Sequence, residues 1–265
     1  MERVTDKAII PAAGLGQRLR PITSVVPKEM FPIGRHPAIE WVIAEAVASG
    51  CTDIAVVISP RKRIIKEYLT TCCSDLLKLC RLNFLIQTEP LGLGHALLLA
   101  REFCAQSPFA LLFPDLMVDC PQLPLLQVSE TFKTVGGIVF SMVRVKAESA
   151  AQYAHFQMRH VGERVYKIKA ISARTTLARS PSLLVGAGRN LWSPECLDYA
   201  EMLLDQPRTG ELDDGIILQH LLAAGEPVHG VHIEGQSMDI STPDGYVAAW
   251  QRLGKEPILN FLKER

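Results

Sequence analysis

The chain has 265 residues, 48% of them hydrophobic, and its 28 Lys plus Arg balance 28 Asp plus Glu, so it carries no net charge. That length holds one large domain or two small ones, and that apolar share supports a substantial core. Neutrality argues against a broad nucleic-acid or anionic-membrane surface, no apolar run approaches the ~18 residues of a membrane span, and seven cysteines at scattered spacings suit reduced thiols rather than a metal site or disulfide framework.

Met1 to Lys7 is charged and lacks the apolar stretch of a secretion signal, so a cytoplasmic protein is expected. Lys7–Pro11 reads as a buried strand. Residues 38–49 have helical periodicity, with Gly50 where a C-cap belongs. A second apolar strand follows at 53–59, a helix at 61–78, a third strand at 82–86, a helix at 94–105 and a fourth strand at 109–113, which ends in Pro114-Asp115. Residues 137–145 read as a fifth strand. Further on, 155–160 and 164–171 suggest an antiparallel pair turning at Gly162. Helices are expected over 193–204, 213–224 and 242–253, with a strand at 228–233.

Strands alternating with helices predict an α/β fold, a mainly parallel mixed sheet covered on both faces in a Rossmann-like three-layer arrangement. No low-complexity linker or internal repeat divides the chain. A single domain over 1–265 is expected, with a regular first half of about 1–120 and an elaborated second half of about 121–265. Ligands of such sheets sit outside the carboxyl ends of the strands. The loop after the first strand, the stretch from Gln87 to Gly94, and Asp115 all fall at such ends.

The first loop reads Pro-Ala-Ala-Gly-Leu-Gly-Gln-Arg-Leu-Arg from Pro11. It lacks the Walker spacing, and Leu19 stands where a dinucleotide fingerprint needs its third glycine, which disfavours a dinucleotide oxidoreductase. Gly14 and Gly16 nevertheless let the backbone approach a ligand and turn N–H groups toward anionic oxygens. Arg18 and Lys28 can neutralise a polyphosphate, and Pro21, Pro27 and Pro32 stiffen the segment.

The stretch from Pro11 through Pro27-Lys28-Glu29-Met30 to Ile33 resembles the signature of the sugar-1-phosphate nucleotidyltransferases, and within them the UTP–glucose-1-phosphate uridylyltransferase branch. A second motif, Gln87-Thr-Glu-Pro-Leu-Gly92-Leu-Gly-His-Ala96, supports the likeness. The resemblance implies transfer of a uridylyl group from UTP to a sugar 1-phosphate, foremost glucose 1-phosphate, with release of pyrophosphate. It implies nucleotide contacts at Ala12, Ala13, Gly14, Gly16 and Glu29. Gln87 would read the uracil edge, since an amide both donates and accepts, and Gly92 would pack against the base. Asp115 would bind Mg²⁺ together with Asp239, in the downstream stretch from Gly235 to Tyr246. Lys28 and Arg18 would stabilise charge on the leaving pyrophosphate. A homo-oligomer, dimer or tetramer, is implied as well.

The departures from the family lie on the sugar side. Counting back from Gly188-Arg189, the position of a phosphate-gripping lysine holds Arg174, and Ala173 replaces a carboxylate. Arginine is longer and planar and does not substitute simply for lysine. Ala154 follows Tyr153 where the family has glycine, and Asp214 stands where a longer acid is usual. Ala154, Gly188, Asp214 and Arg174 are thus the expected sugar-phosphate contacts. A different sugar 1-phosphate or nucleotide, or a non-catalytic nucleotide-sugar-binding paralogue, are the alternative readings. His95 reads as structural, and Met30, Phe31 and Trp41 as core. The amphipathic 253–265 segment is expected to pack on its own domain.

Overall fold

The computed structural model describes residues 4–145, 153–172, 184–207, 210–255 and 258. Ala173, Arg174 and most of the 253–265 segment lie outside the described residues. The strands are β1 (Lys7–Pro11), β2 (Pro32–Ile33), β3 (His36–Pro37), β4 (Asp53–Ile58), β5 (Arg81–Ile86), β6 (Phe109–Leu112), β7 (Leu116–Asp119), β8 (Ile138–Arg144), β9 (His155–His160), β10 (Val165–Ser172), β11 (Leu184–Trp192), β12 (Val228–His232) and β13 (Gln236–Asp239). The α-helices are α1 (Ala38–Ala48), α2 (Arg63–Cys72), α3 (Ser74–Leu77), α4 (Leu93–Leu99), α5 (Arg101–Cys104), α6 (Pro124–Val135), α7 (Cys196–Leu204), α8 (Asp214–Ala223) and α9 (Pro243–Leu253).

Nine strands form one sheet in the order β5-β4-β1-β6-β11-β8-β12-β10-β9. β5, β4, β1 and β6 pair in parallel, as do β8 and β12. β11 runs against β6 and β8, and β10 against β12 and β9. Only β10 and β11 therefore oppose the other seven, and the sheet is mainly parallel but mixed.

Alternate residues of each inner strand serve opposite cores. Ala8, Ile10, Ile54 and Val56 pack with α1 on one face, while Ile9, Ala55, Val57 and Leu111 pack with α4, α7 and α8 on the other. With both faces covered, these strands read as continuous apolar runs rather than alternating ones. α1 is buried from Ala38 to Val47, as expected of a helix apolar nearly all round. No helix among the described residues is long and apolar enough to cross a membrane.

Two predicted helices break in the middle. The 61–78 helix becomes a 3-10 turn, α2 and α3, interrupted at Cys73, and the 94–105 helix divides into α4 and α5 at Ala100. β7, α6, β11 and β13 were not read from the sequence. β11 inserts antiparallel between β6 and β8 and joins the two halves of the chain into one sheet. β7 and β13 form a separate antiparallel ribbon, with Asp239 opposite Leu116.

Candidate active site

The site is assembled at the carboxyl ends of β1, β5 and β6. The loop after β1 leaves the sheet once the Ala12 N–H has donated to Val57 O at 2.7 Å. Beyond it, the peptide N–H groups of Ala13, Gly14, Leu15 and Gly16 take no acceptor among the described residues. Ala12 and Ala13 are buried, and Gly14 is exposed with open space where a Cβ would stand. The loop's far side is tied by the Thr23 hydroxyl, which donates to Gly16 O at 2.7 Å. A row of unclaimed donors in a restrained loop is an anion cradle.

Glu29 sits differently from the expectation. It is 0% exposed, and both its carboxylate oxygens accept from Lys62 Nζ, at 2.9 and 2.8 Å. Its oxygens are turned to Lys62 within the fold rather than to the surface. Lys62 Nζ also donates to Ala12 O at 2.9 Å, so the buried pair braces the start of the loop from below. Burial pushes the Glu29 carboxyl up and the Lys62 ammonium down. Sequence reasoning missed Lys62, which reads as surface charge in Arg61-Lys62-Arg63. The signal was Glu29 itself, a carboxylate within an apolar segment that requires a cation.

The second loop is held by packing. Gln87 Nε2 donates to Gly92 O at 2.9 Å and lies 3.3 Å from His95 Nδ1. The amide nitrogen is thus turned toward Gly92 and His95, and the carbonyl oxygen is the group that can accept from a ligand. Gly92 has φ +94, and a Cβ there would stand 2.6 Å from Leu212 O and 2.7 Å from Leu212 N. The glycine is demanded by Leu212, whose carbonyl also accepts from Gly94 N at 2.9 Å.

The two aspartates meet because Ile240 N donates to Asp115 O at 2.9 Å at the end of the β7–β13 ribbon. Asp115 Oδ2 accepts from Lys28 Nζ at 2.5 Å and from the Ser241 hydroxyl at 3.1 Å. Asp239 Oδ2 accepts from Arg18 Nη1 at 2.9 Å, and its Oδ1 from Ser241 N at 2.9 Å. Burial raises the Asp115 carboxyl, but the Lys28 ammonium and the Ser241 hydroxyl more than offset this and hold it below the usual carboxylate range. Lys28 is held above the ordinary lysine value, burial being outweighed by Asp115 and Glu29. Among the described residues no group of three or more His, Cys, Asp or Glu gathers to hold a metal. Two carboxylates lining one space suit Mg²⁺, a hard cation that takes oxygen ligands.

From these carboxylates a cleft of about 700 Å³ extends along β11, and Ala154, Gly188 and Asp214 all line it. Gly188 has φ +76, and a Cβ there would strike Leu116 at 2.6 Å. Its neighbour Arg189 is buried and bonds Glu45 Oε2 at 2.8 Å, Phe113 O at 3.1 Å and Gly188 O at 3.2 Å. It therefore anchors the backbone just before Asp115. Asp213 also lines the cleft but caps α8, accepting from Ile216 N at 2.9 Å.

A family profile described as nucleotidyl transferase matches residues 7–256, the span that contains both loops and both aspartates. The chain belongs to the nucleotidyl transferase family. Among its relatives is UTP–glucose-1-phosphate uridylyltransferase 1 of Staphylococcus saprophyticus, 30% identical, with 91% of this chain and 90% of that protein aligned. A Bacillus subtilis UTP–glucose-1-phosphate uridylyltransferase is also 30% identical, over 91% of this chain and 88% of its own. The fold is that of a solved UDP-glucose pyrophosphorylase complexed with UDP-glucose, with a TM-score of 0.83, 24% identity and coverage of 98% and 99%. A UTP-bound enzyme from Acinetobacter baumannii aligns with a TM-score of 0.77, 24% identity and the same coverage. Both loops, both aspartates and the cleft residue Ala154 of this nucleotidyl transferase lie within the matched span.

Proposed function

We propose that this nucleotidyl transferase moves a uridylyl group from UTP to a sugar 1-phosphate, foremost glucose 1-phosphate, giving a UDP-sugar and pyrophosphate. The observation that carries the reading is the junction at Asp115 and Asp239. Two carboxylates and two cations, Lys28 and Arg18, converge beside an unclaimed row of loop N–H groups and open onto a cleft of sugar size. The names of the relatives supply the nucleotide and the sugar.

A phosphate oxygen of the acceptor attacks the α-phosphorus of UTP, a P–O bond forms, and the bond to pyrophosphate breaks. No covalent enzyme intermediate is required, so the protein contributes positioning and charge neutralisation. The N–H groups of Ala13 through Gly16 receive the phosphates. Lys28 and Arg18 exchange carboxylate partners for phosphate oxygens and stabilise the charge that develops on the leaving group. Gln87 offers its carbonyl oxygen to the base. Asp115 and Asp239 would hold Mg²⁺, which when bound neutralises phosphate charge as a Lewis acid. Arg174 is the proposed grip on the acceptor phosphate, and Asp214 the acid for sugar hydroxyls.

The test is pyrophosphate release from UTP, glucose 1-phosphate and Mg²⁺. Turnover is expected, with loss in Asp115→Ala and after chelation. Binding of UTP without release from any of a panel of sugar 1-phosphates overturns the reading in favour of a nucleotide-sugar sensor.

A further inference from the structure

The inner end of the cleft carries two polar groups that the site has not used. Asn190 and Trp192 project from the same face of β11, two residues apart, and both line the cleft. They are 6% and 1% exposed. Asn190 Oδ1 and Trp192 Nε1 are buried and have no hydrogen-bond partner among the described residues. A buried indole N–H ordinarily finds an acceptor, and an orphaned buried polar atom in a folded protein asks for a water or a ligand. The surrounding wall is apolar. Phe140 and Phe156 face one another there at 5.1 Å, with Ile171 and Leu218 beside them. The register of β11 against β8 shifts between Gly186 and Asn190, and such irregularities re-aim side chains.

The order along the strand is informative. Gly188 lies against Leu116, next to Asp115. Trp192 is four residues further, roughly 13 Å at the usual rise of a strand. The cleft therefore has a charged, phosphate-binding end and a neutral hydrogen-bonding end, with aromatic walls between.

We propose that Asn190 and Trp192 are specificity-determining residues that read a hydroxyl on the side of the sugar remote from its phosphate. The ring's C–H faces lie against the aromatic walls. The hydroxyl accepts from Trp192 Nε1 and bonds the Asn190 amide. This inference rests on the uridylyltransferase reading and names what selects the acceptor within it.

Steady-state kinetics with UTP and three acceptors test it: glucose 1-phosphate and its 4-deoxy and 6-deoxy analogues. The unaltered chain should discriminate against one analogue by about 10-fold or more in kcat/KM, because a site built to bond a hydroxyl rejects a substrate lacking it. Trp192→Phe keeps a ring and removes the N–H. It should lower kcat/KM for glucose 1-phosphate by a similar factor, leave that analogue within about twofold, and leave KM for UTP unchanged. Asn190→Leu should act in the same direction and serves if Trp192→Phe does not fold. Equal kcat/KM for all three acceptors, or discrimination that survives both substitutions, overturns the inference while the uridylyltransferase reading stands. A unaltered chain that releases no pyrophosphate with any acceptor overturns both.

Discussion

A single buried contact shows how this site is kept in shape. Glu29 and Lys62 are far apart in sequence and buried together, and the pair's third bond fixes the carbonyl of Ala12 at the root of the loop after β1. Removing one partner strands the other in a dry environment. Lys62→Met should therefore destabilise the protein by about 3–5 kcal/mol, read from urea unfolding. Adding Glu29→Leu should restore most of that loss, since a buried ion pair replaced by apolar groups is often neutral. A single variant as stable as the parent would show that Glu29 is not ionised in the fold. Gly14 offers the opposite case. Nothing lies within 4 Å of a Cβ built there, so Gly14→Ala should change stability by no more than about 0.5 kcal/mol. It should still raise KM for UTP, because under the proposed function the added methyl stands where a phosphate approaches. An unchanged KM would remove this loop from the nucleotide site.

Between elements, register does the positioning. Asp53 on β4 stands opposite Arg81 on β5 and accepts from its Nε at 3.2 Å and from Asn83 Nδ2 at 2.6 Å. The Arg81 bonds, with Asn83, hold the Asp53 carboxyl below its ordinary 3.8. A lowered acid contributes stability that is present above its unfolded value and lost as pH falls through its folded one. Asp53→Asn should accordingly flatten the acid limb of the stability–pH curve below 3.8, measured as urea midpoints. A curve parallel to the parent's would contradict the assignment. The Gly92–Leu212 contact is stricter. An added Cβ meets backbone atoms at 2.6 and 2.7 Å and must adopt φ +94. Gly92→Ala should cost about 1–3 kcal/mol and displace the loop carrying Gln87.

Across the whole molecule, the decisive event is the meeting of Asp115 with Asp239. β11 closes the sheet between β6 and β8, and the β7–β13 ribbon then carries Asp239 back over the end of β6. Its partner Arg18 has a half-exposed side chain, so Asp239→Asn should change stability by about 1 kcal/mol or less. Turnover should fall by about 10²-fold or more. Loss of both together would mark Asp239 as structural. UTP with Mg²⁺ at about 100 times its dissociation constant should raise the unfolding free energy by about 2.7 kcal/mol, and by less in Asp239→Asn.

The sequence by itself determined the parts whose cause is local. Apolar runs set β1, β4 and β6, helical periodicity set α1, and glycine with flanking cations marked the loop from Gly14 to Lys28. The ends of parallel strands then placed Gln87 and Asp115 on one edge. Tertiary structure alone decided the rest. It chose Lys62 as the partner of Glu29 and Arg189 as that of Glu45, it inserted β11, and it left Asn190 Oδ1 and Trp192 Nε1 without a partner among the described residues at the cleft. Periodicity reports only which face a residue takes within its own element. What a buried charge or a lone N–H meets depends on elements distant in sequence, and no local pattern encodes that distance.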